Sequence, residues 1–164
     1  SLDELAREPL RLYAAEGFRL WVVEPDIVEV GDVEVLQKVY EGMTLREPSV
    51  PNWMFGIGRG AREVVHLAAT SQAKVDGVVT VALYLPRMER KTVSEALRAL
   101  AAKDVPLLAW HAEHDHVVSA QRGWEAWAFF KQVGGRGDFR VIPEANHFLS
   151  HSWEDTLPWF SKKF

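Results

Sequence analysis

Three short stretches of this chain hold the groups that could do chemistry. The first is Trp53–Thr70, WMFGIGRGAREVVHLAAT, where a short apolar run meets glycines at 56, 58 and 60. It passes directly into a helical pattern whose apolar face is Val64, Val65, Leu67 and Ala68. Glycine tolerates positive φ and lets another backbone come close, so the stretch reads as a sharp strand-to-helix turn. Such turns either present a nucleophile, in the pattern G-x-S-x-G, or cradle a pyrophosphate at a helix N-terminus, in the pattern G-x-G-x-x-G/A. Gly56, Gly58 and Ala61 satisfy the second pattern literally. The first is satisfied except that Gly58 stands where the serine belongs. The second stretch is His111-Ala112-Glu113-His114-Asp115-His116, and the third is Glu144-Ala145-Asn146-His147-Phe148. Both mix carboxylates with imidazole, the pair of groups that can orient and perform proton transfer.

The surrounding elements must position these groups. A helix is expected over residues 1–15, opened by the capping box Ser1-x-x-Glu4, kinked near Arg7–Glu8 by Pro9 and closed by Gly17. Phe18–Val23 reads as a strand, and Val33–Met43 as a helix capped by Asp32. After the glycine turn, Val78–Leu85 is apolar on both faces, as a buried parallel strand is. Thr92-x-x-Glu95 has the form of a capping box opening a helix through Ala102. Val105–Trp110 is a strand, and Ser119–Gln132 is a helix with Trp124, Trp127 and Phe130 on one stripe. Phe139–Ile142 is a last strand and Trp153–Phe164 a last helix interrupted by Pro158. Helix and strand alternate with no hairpin signal. That predicts a three-layer α/β/α architecture, a mostly parallel sheet of about five strands in a single domain over 1–164. In open sheets of this kind functional groups gather at the carboxyl ends of the strands. All three stretches fall there.

Bulk properties exclude several classes. A net charge of −4 offers no electrostatic case for nucleic acid or an anionic membrane. No apolar run approaches the roughly 18 residues that a membrane span needs, and no signal-peptide core is present, so a cytoplasmic protein is expected. The absence of cysteine excludes disulfides, thiolate metal sites and a cysteine nucleophile.

The pieces, taken in order, resemble the α/β-hydrolase superfamily, and within it the dienelactone-hydrolase-like members. VPLLAWHAEHDHVVSA is similar to that family's strand and acid loop, and VIPEANHFL to the strand and loop that deliver its histidine. YAAEGFRLWVVEPD resembles the unit upstream of the nucleophile, and VDGVVTVALYLP the strand after it. The short path from the glycine turn to Asp115 leaves little room for a lid. The resemblance implies that Asp115 is the orienting acid, His147 the general base and Gly58 the nucleophile position. It also implies that the backbone N–H of Arg59 is an oxyanion donor. Two departures accompany it. Gly58 has no side chain to attack with. The family's earlier strands, including one whose loop gives the other oxyanion N–H, are missing, so the chain is expected to be the C-terminal portion of a longer fold. The expected partner is a small-molecule ester or lactone, acted on weakly or not at all. The alternative is a non-catalytic binding or interaction module, and an exposed sheet edge would favour a homo-oligomer.

Two other readings compete. A dinucleotide site needs an acidic residue about 20 positions beyond the glycines, but the next strand ends Leu85-Pro86-Arg87. His111-x-Glu113-x-Asp115-His116 approaches the H-x-H-x-D-H signature of metallo-β-lactamase-like hydrolases, yet only one strand follows it. No cofactor and no metal are therefore expected. His114 and His116 read as solvent-facing, His111 as a ligand or a hydrogen-bonded strand-end residue, His66 as core or subsurface, and His151 as surface.

Overall fold

The strands GVVTV and LLAWHA are buried at every position, and a strand apolar on both faces belongs in the middle of a sheet covered on both sides. The computed structural model describes residues 33–46 and 51–147, together with residues 11, 14, 15 and 49. In chain order the elements are α1 (Val33–Arg46), β1 (Trp53–Ile57), α2 (Arg59–Thr70), β2 (Gly77–Val81), α3 (Arg90–Ala102), β3 (Leu107–Ala112), α4 (Ala120–Gln132) and β4 (Gly137–Ile142). The four strands lie in the order β1-β2-β3-β4, every neighbouring pair parallel. The two wholly buried strands are the central ones. The expected strand Phe18–Val23 and the helix Trp153–Phe164 lie outside the described residues, as does most of the helix over 1–15.

Side chains alternate across the sheet, as its pleat requires. Met54, Val78, Leu107 and Ala109 share one core with Tyr40 of α1, Val65 and Ala68 of α2, Leu97 and Leu100 of α3, and Trp127 and Phe130 of α4. All four described helices therefore pack into that core. Val79, Val81, Leu108 and Trp110 form a second cluster with Val118, Ile142 and Ala145. Its strand residues are as fully buried as those of the first, as a three-layer α/β arrangement needs. No helix among the described residues is long and apolar enough to cross a membrane.

Several expectations are corrected locally. The strand expected over Val78–Leu85 ends at Val81, because Ala82 takes a positive φ of 56° and turns the chain. Leu83 and Leu85 stay buried beyond the turn, so their apolarity continued the strand pattern without the strand. The capping box at Thr92 and Glu95 does not form. The helix begins at Arg90, which puts Thr92 inside its first turn. Glu89, at the cap, makes no capping bond and instead accepts a hydrogen bond from Arg62. On α4, Trp127 and Phe130 are buried but Trp124 is half exposed, leaning edge-on against Phe139 with ring centroids 5.5 Å apart.

Phe130 is wholly enclosed, whereas Leu45 on α1 is 81% exposed. Phe130→Ala should therefore lower unfolding free energy by about 3–5 kcal/mol, and Leu45→Ala should change it by less than about 0.5 kcal/mol. Urea midpoints at constant slope read the difference, and equal midpoints for the two variants would contradict the core assignment.

Candidate active site

The turn after β1 is built by backbone constraints. Gly58 sits between β1 and α2 with φ 55° and ψ −110°, outside the range that side chains favour. Its N–H donates to the Val81 carbonyl at 2.8 Å, tying the turn to the end of β2. Two residues earlier, a Cβ on Gly56 would lie 2.3 Å from the Gly60 carbonyl oxygen, so strand and helix cross too closely for any side chain there. Arg59 opens α2. Its N–H belongs to the first turn, whose donors have no partner within the helix and carry the positive end of the dipole.

Asp115 lies three residues beyond β3 with its side chain fully buried. Oδ1 accepts the N–H groups of Val117 and Val118, each at 2.8 Å, and Oδ2 lies 2.7 Å from His147 Nδ1. Burial pushes this carboxyl's pKa up. The Val118 N–H, the His147 hydrogen bond, the Val117 N–H and the charge of His147 together outweigh burial and hold it below the usual aspartate value. The loop carrying His147 is aligned by the sheet itself: beyond β3, Glu113 N–H donates to the carbonyl of Ile142, the last residue of β4, and His114 N–H to the Ala145 carbonyl, both at 3.0 Å. Donation from Nδ1 to the carboxylate leaves Nε2 as the basic nitrogen. Nε2 lies 3.3 Å from where a Cβ on Gly58 would stand. The three stretches singled out in the sequence thus meet at the carboxyl ends of β1, β3 and β4.

His111 has a different place from Asp115's immediate partners. It is buried, its Nε2 donates to the Val118 carbonyl at 2.5 Å, and Nε2 lies 3.6 Å from Asp115 Oδ2. Its ring lies flush against α4, since a Cβ on Gly123 would come within 2.2 Å of Nδ1. Of the two readings of His111, the strand-end hydrogen bond is the one observed. The set His111, Glu113, Asp115 and His116 does not converge. His111 and Asp115 turn inward while Glu113 and His116 are exposed. The ligand-type atoms that do meet belong to Glu113, His114 and Glu144, all exposed. His66 is half-buried, and His151 lies outside the described residues. A groove of about 450 Å³ lined by Arg98, Phe129, Gln132, Val133 and Gly134 sits at the C-terminal end of α4, on the rim opposite Gly58. Sequence reasoning missed Arg62, Tyr84 and Arg122, which cluster beside the turn; one helical turn from Gly58 to Arg62 was the only signal.

Comparison with known proteins supplies independent findings. The sequence model of a family described as phospholipase/carboxylesterase matches residues 40–157. No curated protein matches. Among solved structures, SOBER1 of Arabidopsis thaliana is similar with a TM-score of 0.62 at 19% identity, over 77% of this chain and 60% of that one. An uncharacterized protein from Bacillus cereus ATCC 10987 gives 0.77 at 16% identity, over 94% and 52%. Acyl-protein thioesterase 2 of Zea mays gives 0.55 at 18% identity, over 79% and 65%. The chain spans between about half and two thirds of the length of these proteins.

The hydrogen bonds of Asp115 make a test that needs no ligand. Asp115→Ala strands the two N–H donors of Val117 and Val118, at a cost of about 1–3 kcal/mol for each one left buried. Asp115→Asn keeps an oxygen for them and should cost less. Because the folded pKa is depressed, the carboxylate's contribution is complete above the unfolded value of about 4 and is lost as pH falls through the folded one. Stability measured from pH 7 downwards should therefore fall less steeply below pH 4 in Asp115→Asn than in the parent. Identical acid limbs would contradict the assignment.

Proposed function

The chain belongs to the phospholipase/carboxylesterase family of α/β-hydrolases, and on that premise we propose that its site receives small esters or lactones without forming an acyl-enzyme. One observation carries the reading: the Nε2 of an aspartate-held imidazole is 3.3 Å from the Cβ position of a residue that has no side chain. In this reading Asp115 fixes the tautomer and orientation of His147, and His147 is the general base. The first-turn N–H of Arg59 faces the carbonyl oxygen, and Gly58 occupies the nucleophile position. A hydroxyl at position 58 would sit within reach of Nε2. Without it, the base has no side-chain proton to take, and covalent turnover stops at binding. A carbonyl ligand is held and oriented, and hydrolysis is weak or absent. The cytoplasmic location expected from the sequence is part of the same proposal, as is self-association. A binding module that never had esterase chemistry would need no acid–base pair aimed at an empty side-chain position, which favours the first reading over it.

Gly58→Ser in the full-length protein is the direct test. The positive φ at 58 makes a serine there cost about 1–3 kcal/mol of stability, so the melting temperature should drop. Hydrolysis of a small activated ester such as p-nitrophenyl acetate should nevertheless rise by about 10²–10⁴-fold, and a second substitution, His147→Ala, should remove the gain. A folded Gly58→Ser protein with no gain would overturn the reading.

A further inference from the structure

The cluster beside the turn holds more positive charge than the acid–base pair needs. Tyr84 follows β2 by three residues, and Val81, the last residue of that strand, carries the carbonyl that accepts Gly58 N–H. The guanidinium of Arg122 lies 4.6 Å from the centroid of the Tyr84 ring, and that of Arg62 lies 5.3 Å from it. Arg62 comes one turn along α2 from Gly58, and Arg122 stands in the first turn of α4, directly after the loop that holds Asp115. All three side chains therefore rise from the same rim of the sheet as Gly58, Asp115 and His147. Their charges are unevenly met. Arg62 Nη1 donates to Glu89 Oε2 at 2.5 Å. Among the described residues no carboxylate pairs with Arg122, which is exposed. Two cations converge on one aromatic ring, and Glu89 is the single carboxylate that pairs with either of them among the described residues. Attraction to the ring face accounts for the seat of each guanidinium but leaves their mutual repulsion, and the exposed charge of Arg122, unmet.

We infer that the Arg62–Tyr84–Arg122 cluster is an anion-accepting subsite, and that the ligand of the neighbouring site is an ester or lactone bearing an oxyanion group, carboxylate or phosphate, away from its reacting carbonyl. The inference rests on the ester-site reading for the second half of that statement and on the cluster alone for the first. Planar guanidinium forks suit both kinds of oxyanion. An anion placed there neutralises the excess charge and turns the remaining end of the ligand toward the Arg59 N–H and His147.

Calorimetric titration of the full-length protein with matched probes separates the two halves. Monomethyl succinate should bind at least tenfold more tightly than dimethyl succinate, and raised salt should weaken only the former. In Arg122→Gln, an exposed position where folding is not at stake, the two affinities should come within twofold while that of the neutral diester is unchanged. Methyl phosphonoacetate in place of the succinate monoester tells whether carboxylate or phosphate-type oxygens are preferred, either preference supporting the subsite. If neither ester binds, but succinate or inorganic phosphate binds and is lost in Arg122→Gln, the subsite stands and the ester reading falls. Equal affinity for the two succinate esters, a preference that survives Arg122→Gln, or no binding of any anion overturns the inference.

Discussion

A carboxylate taken wholly out of water is tolerated only when its lone pairs are met by donors, and the geometry around Asp115 follows from that demand. Two donors on Oδ1 come from consecutive backbone N–H groups, which obliges the chain to curl back on itself immediately after the acid. The remaining oxygen requires a donor from another element, and the imidazole of His147 supplies it across the top of the β3–β4 pair. The parallel register of those strands carries on through one hydrogen bond at the end of β4 and one between the two loops, so the histidine arrives at the aspartate by continuation of the sheet. Carboxylate, imidazole and glycine turn are in this sense products of the same sheet.

Much of this was legible from residue order. Wholly apolar runs separated by helical patterns place β2 and β3 inside a parallel sheet, and an acid after one strand and a histidine after the next must then lie near each other. What escaped the sequence has physical reasons. Leu83 and Leu85 are buried whether or not the chain is extended, so hydrophobicity could not reveal that Ala82 ends β2. Thr92 and Glu95 have the spacing of a cap, but the competing bond between Arg62 and Glu89 joins parts of the chain that sequence spacing does not connect. The stacking of Arg62 and Arg122 on Tyr84 is equally a matter of long side chains from three elements finding one another in space.

The glycine at the centre of the site is conformationally at ease where a serine would be strained. Active sites commonly hold such strain at the expense of stability. Here the backbone holds that conformation with glycine: the turn is pinned to Val81, the helix crosses the strand at Gly56, and the His147 imidazole lies 3.3 Å from the Cβ position of residue 58. Glycine at position 58 avoids the local conformational penalty of its positive φ, and the contacts that shape the turn need no side chain there. The turn is thus maintained by interactions that involve no side chain at position 58.

His111 has one more consequence. Val118 is gripped at both ends, its N–H by Asp115 and its carbonyl by His111, while the His111 ring is wedged against Gly123. Strand end, acid loop and the opening of α4 are thus tied to one another through a single residue, Val118, and the His111 ring. Exchanging Asp115, His111 or Gly123 singly would therefore disturb the seating of the other two.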